Sequence, residues 1–323
     1  MMATALLDVL RPPSRLVSLL PVVACVAFLL LILASGAPSA PPDAERAWRT
    51  LQDIGIGPIA LLILGLIVVA LLLDPLQLRL VRLLEGDWPS SLAGVSRRSI
   101  KRQRTHRDRL VLSTLLGDSP GPRDVQRVGT AAAALRRRFA RDDKPPRPTA
   151  LGNALAAMED RAGLQYGWDA VVAWPRLYPL LSPGVRSVVD GQRERLDTLA
   201  RLSVCSTVTT VLASALLYAS GWWILLAALP AAIARTAYIG TVHTAVAYGK
   251  AVEVAFDLHR FDLLRHLHLP FPRTLQEERV LSDQVCLVWR QGVDLACRYE
   301  HRDGADGPVD GTGAQPGTGS PSS

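Results

Sequence analysis

Four predominantly apolar stretches constrain what this chain can fold into more than any other feature. They cover residues 16–35, 54–73, 202–220 and 222–240. A helix of about twenty residues at 1.5 Å rise spans the roughly 30 Å of bilayer hydrocarbon, so each stretch has the length of a transmembrane helix. Residues 16–35 could alternatively form a signal peptide, with Ala37-Pro38-Ser39-Ala40 following them, although the apolar core is long for a cleavable one. A mean hydropathy of +0.20 with 49% hydrophobic residues is too apolar for an ordinary water-soluble protein. The expected fold class is all-α: an integral membrane protein with four transmembrane helices and an α-helical cytoplasmic module. Only Ser220-Gly221 separates the last two stretches, which makes them a hairpin, with Trp222 and Trp223 as interfacial anchors at its tip.

The formal net charge is +7, and residues 75–202 alone hold 23 Lys and Arg against 13 Asp and Glu. Cytoplasmic loops carry the basic excess, so this central segment and both termini are expected inside a bacterial plasma membrane. Only residues 36–53 and the hairpin tip would face outward. The resulting divisions are 1–74 (two spans), 75–148 (basic segment and Pro-rich linker), 149–201 (helical module with an aromatic and proline block), 202–241 (hairpin), 242–300 (amphipathic helices) and 301–323. The last is rich in Gly, Pro, Ser, Thr and Asp and is expected to be disordered.

Within the basic segment, residues 95–109 (VSRRSIKRQRTHRDR) carry no Phe, Tyr or Trp ring on which a base could stack. Anionic lipid headgroups are therefore the expected partner, and nucleic acid is disfavoured. Thr149 is a suitable cap for a helix presenting Leu151, Leu155 and Met158 on one face and ending near Gly163. Tyr166, Trp168, Trp174 and Tyr178 crowd around Pro175 and Pro179. Residues 168–181 read equally as an irregular segment against the inner leaflet or the spans, or as the core of a small domain. Ser182-Pro183 starts a helix that continues into the third span, and the fourth span continues inward with Val252, Phe256, His259 and Leu263 on one face.

The chemistry-bearing positions are few. Asn153, Glu159, Asp160, Asp169 and Arg176 could act together or simply cap and pair helix ends; Trp174 and Tyr178 join them as candidate interaction residues. Arg235 lies near the inner end of the fourth span, where it can snorkel or pair. Ser203, Thr207, Thr210 and Ser214 form a small polar stripe suited to helix packing. His259, Asp262 and His266 share a helical face that could hold a metal, but no Glu-x-x-His unit supports them; pairing with Arg260 and Arg265 is the plainer use. Cys25 and Cys205 lie in apolar runs, and Cys286 and Cys297 lack a CxxC partner, so neither a disulfide framework nor a zinc site is expected. No phosphate loop, nucleophile elbow or HExxH motif is present, and no cofactor is expected.

The blocks Leu151-Gly152-Asn153, Glu159-Asp160-Arg161-Ala162-Gly163, Tyr166-Gly167-Trp168-Asp169 and Trp174-Pro175-Arg176-Leu177-Tyr178-Pro179-Leu180-Leu181 precede a hairpin and the run AFDLHRFDL at 255–263. Together they resemble a group of uncharacterised bacterial multi-pass membrane proteins. The resemblance covers about residues 151–272 and implies topology and helical fold; it carries no activity, substrate or catalytic residue. The leading expectation is a non-enzymatic membrane-anchored interaction or scaffold protein that docks a protein partner, or a second copy of itself, at the inner leaflet. A small transporter or channel is the alternative, and a membrane-bound enzyme ranks third.

Overall fold

The computed structural model describes residues 14–53, 55, 57, 58, 64, 65, 68, 82–115, 121–141 and 144–292. These are helical, with no strand among them. The element order is α1 (Ser14–Ala34), α2 (Ala44–Asp53), α3 (Ala93–Ser113), α4 (Pro122–Arg138), α5 (Ala150–Arg161), α6 (Ala170–Leu177), α7 (Pro183–Leu216), α8 (Ala228–His266) and α9 (Leu275–Gln291), with short 3-10 turns between some of them. The apolar run at 54–73 falls almost wholly outside the described residues, as do Cys297 and the tail at 301–323.

Two helical segments, Pro183–Leu216 and Gly221–His266, are long and apolar enough to cross a membrane, while the described apolar part of α1, Val22–Ala34, is shorter. Of the four transmembrane helices expected, two therefore have the length and apolarity to cross a membrane among the described residues. At 34 and 39 residues, α7 and α8 measure about 50 and 60 Å. Each runs without a break from its apolar part into charged sequence, and they pack antiparallel along their length. α1 lies against α7, and its end reaches the hairpin tip, where Ile32 and Ala37 cluster with Ala213, Leu217 and Ala227.

Small residues govern the α7 seam. Ser203, Ser206, Thr209 and Ala213 are buried, whereas Thr207 is exposed. The buried stripe thus steps by three and four from Ser203 through Ser206 rather than through Thr207 and Thr210. The Ser203 hydroxyl donates across the seam to the carbonyl of Ala234 at 3.2 Å, and the Thr207 and Thr210 hydroxyls donate back to their own helix, a common way to satisfy them in an apolar setting.

Opposite the tip, α5, α6 and α9 assemble around the far ends of the hairpin. The core there is Trp168, Ala173, Leu177, Phe256, Leu263 and Leu264, all nearly inaccessible. Residues 168–181 are accordingly regular rather than irregular, with helical α6 at the centre: Trp168, Ala170, Ala173, Leu177 and Leu181 enter this core, while Val171, Pro175, Arg176 and Pro179 stay exposed. Each large apolar side chain buried here stabilises the fold by about 2 kcal/mol, more than an exposed ion pair contributes. The turn between α5 and α6 depends on Gly163, whose φ of 74° is left-handed and where a Cβ would lie 2.7 Å from Cβ of Trp168. On α9 the buried face is Glu278, Ser282, Val285 and Cys286, while Val280 points outward.

Candidate functional site

The predicted site residues converge on the module beneath the hairpin, where most of them join elements together. Thr149 caps α5 by accepting the N–H of Gly152 at 3.0 Å. Asn153, one turn on, is buried and triply bonded: its carbonyl accepts the Arg147 N–H at 2.7 Å, and its amide donates to the carbonyls of Arg147 and Thr149. Glu159 pairs with the Arg147 guanidinium at 3.0 Å. Part of the Pro-rich linker is thereby stitched to the helix it precedes. Ser99 on α3 adds a hydrogen bond from its hydroxyl to the Pro148 carbonyl.

Asp160 has a 1% exposed side chain and accepts from Lys144 at 2.8 Å and from the Arg141 backbone and guanidinium at 2.9 and 3.2 Å. Burial alone would raise its pKa, but these donors and their charges outweigh it and hold the carboxyl below its ordinary value. Asp169 caps α6 through the Val171 N–H and forms an ion pair with Arg290 of α9. At the other end of α6, the Arg176 guanidinium lies 4.3 Å from the ring centre of Trp289, also of α9. α9 thus grips both ends of α6, and Trp168 stacks on Trp289 between them. Trp174 packs against Phe256 and Tyr178. The Tyr178 hydroxyl donates to Asp190 at 2.7 Å, and that bond, followed by burial, raises its pKa.

His259 is buried at 9%. Its Nε2 receives the backbone N–H of Ser182 at 3.3 Å, and its Nδ1 lies 2.9 Å from the Asp262 carboxylate. A backbone N–H can only donate, so Nε2 must be bare and Nδ1 must carry the proton toward Asp262. Ser182 occupies the cap position of α7 but makes no side-chain capping bond; its N–H instead ties α7 to α8 through the imidazole. Asp262 also pairs with Arg265 at 2.9 Å, and the exposed His266 faces the Asp262 carbonyl rather than its carboxylate. Among the described residues no group of three His, Cys, Asp or Glu side chains could hold a metal. Arg235 is exposed on the surface of α8.

Two arrangements lay outside the reading of the sequence. Arg260 pairs not with its own helix's acids but with Glu278 of α9 at 2.8 Å, both side chains largely buried, and sits 3.9 Å from the Tyr166 ring centre. Burial pushes Glu278 up despite the opposing Arg260 charge, and it raises the Cys286 thiol to about 12, leaving a thiol that stays protonated. The second is a cationic cleft between α4, α5 and α8, lined by Arg136, Arg137, Arg161 and Lys250. The clustering RRR at 136–138 was visible in sequence, but its meeting with Arg161 and Lys250 depends on how three helices pack.

Fold and site define an all-helical chain whose polar helical module is built directly onto a long apolar hairpin. No protein-family model, curated protein or solved structure matches it.

Proposed function

We propose that this protein is a membrane-anchored scaffold that holds a helical docking module at a fixed depth below the inner leaflet. The observation that carries the reading is the continuity of α7 and α8, whose apolar parts pass without a hinge into the helices forming the module core. About 30 Å of each helix suffices for the bilayer, so about 20 Å or more projects beyond it as a rigid stalk. The end of α1 meeting the hairpin tip, with basic α3 and α4 on the module side, supports an orientation with the module in the cytoplasm. The exposed position of Arg235 supports a headgroup-facing role over lining a path.

Deleting residues 151–181 would remove core residues such as Leu151 and Trp168, so a surface change is the better test. Val171 of α6 and Val280 of α9 are exposed, at 63% and 50%, beside one cleft. Crosslinking in native membranes, followed by purification and mass spectrometry, should return a specific partner, or a second copy of the chain, that is lost in V171D/V280D while the hairpin still inserts. Recovery of only bulk membrane proteins by the unaltered chain would defeat the scaffold reading.

A further inference from the structure

The cleft between α4, α5 and α8 encloses about 490 Å³. Its cations come from three helices: Arg136 and Arg137 from the last turn of α4, Arg161 from the last turn of α5, and Lys250 from α8. Arg161 donates to the carbonyl of Phe139, the residue that ends α4, at 2.7 Å; its guanidinium is half-buried and held in place, with further N–H donors remaining. The one carboxylate in the lining, Glu253, is taken by Lys250 at 3.1 Å. Among the described residues no carboxylate forms an ion pair with Arg136, Arg137 or Arg161. Asp160, next in sequence to Arg161, is engaged by Arg141 and Lys144 instead.

Basic residues in the last turn of a helix commonly offset its dipole. That accounts for arginines at the end of α4, but not for a second helix end and a mid-helix lysine turned onto the same space. Burial, and then the neighbouring positive charge of Arg136, depress Arg161 below the usual guanidinium value, against the opposing charges of Glu253 and Asp160. The floor is apolar and close-fitting: Ala154, Ala157 and Met158 of α5 face Ala245 and Gly249 of α8, and a Cβ at Gly249 would lie 3.0 Å from Cβ of Met158. At its upper end the lining includes His243, which follows the apolar run of α8 within about a turn.

We propose that this cleft binds a phosphate-bearing anion, with Arg136, Arg137, Arg161 and Lys250 as its donors. Planar guanidinium groups suit phosphate oxygens through paired charge-assisted bonds, and the ligand is the headgroup of an acidic phospholipid or a free phosphate compound. The site is distinct from the exposed basic face of α3, and it stands whether or not the scaffold reading holds.

The test uses the full chain in nanodiscs of phosphatidylcholine, alone or mixed in equal parts with phosphatidylglycerol, with native mass spectrometry for retained lipid and calorimetric titration with inorganic phosphate. R136Q and K250Q alter exposed side chains and keep the fold, as circular dichroism would verify. Their combination is expected to weaken binding about tenfold, the loss of charge-assisted hydrogen bonds, while R98Q/R102Q on α3 leaves it within about twofold. Phosphatidylglycerol retained one per chain, and lost in R136Q/K250Q, supports the site with a lipid ligand. Saturable inorganic phosphate binding with the same loss supports it with a soluble one. Saturable binding of neither probe, or an equal loss in R98Q/R102Q, overturns the proposal.

Discussion

At Asp160 a carboxylate with almost no exposed surface is held ionised by three donors. Its folded pKa lies below the ordinary 3.8, so near that value the unfolded chain binds more protons than the folded one. Its stabilising contribution is complete above the ordinary value and is lost as pH falls through the lower, folded value. D160N should cost about 2 kcal/mol at neutral pH, since Arg141 and Lys144 are half-exposed and lose only a partner. Urea unfolding of wild type and D160N between about pH 3 and 7 should show the two converging toward the acid end; a gap independent of pH would show that the ionised carboxylate is not what matters. His259 is the second residue whose protonation follows from geometry. Nitrogen NMR should find Nε2 unprotonated and Nδ1 carrying the hydrogen, and a protonated Nε2 would break the proposed bond from Ser182.

Among the elements, α8 was the most legible, because Val252, Phe256, His259 and Leu263 recur at helical spacing and all four are buried. The junction of α7 with its apolar stretch was legible for a similar reason, since no breaker follows Pro183. Less legible was which edge of α7 faces its neighbours: Ser203 belongs to stripes running through either Ser206 or Thr207, and only packing decides between them. S206L should therefore overpack the seam and lower stability by about 1–3 kcal/mol, whereas T207L should stay within about 0.5 kcal/mol. Thermal melts in detergent would check this, and equal effects would place the seam elsewhere. The polar pairs were least legible. Asp169 sits at the cap of α6 and Asn153 one turn past the cap of α5, but Asp169–Arg290 and Arg260–Glu278 join helices that only the assembled core brings together. Opposite charges distant in sequence give no periodic signal.

For the whole molecule, mean hydropathy and two long apolar helices point to the bilayer, while the functional reading depends on which end of the hairpin faces the cytoplasm. Cys286 is buried and Cys25 and Cys205 are half-buried, so new thiols can report on each end once the native ones are replaced. The most direct measurement places one cysteine at the tip, Ser220→Cys, and another on the module, Val171→Cys. Each is treated with a membrane-impermeant maleimide in intact cells and again after the membrane is broken. A hairpin anchored with its module inside predicts that Ser220→Cys labels in intact cells and Val171→Cys only after rupture. Labelling of Val171→Cys in intact cells, or release of the chain from membranes by alkaline washing, would contradict it.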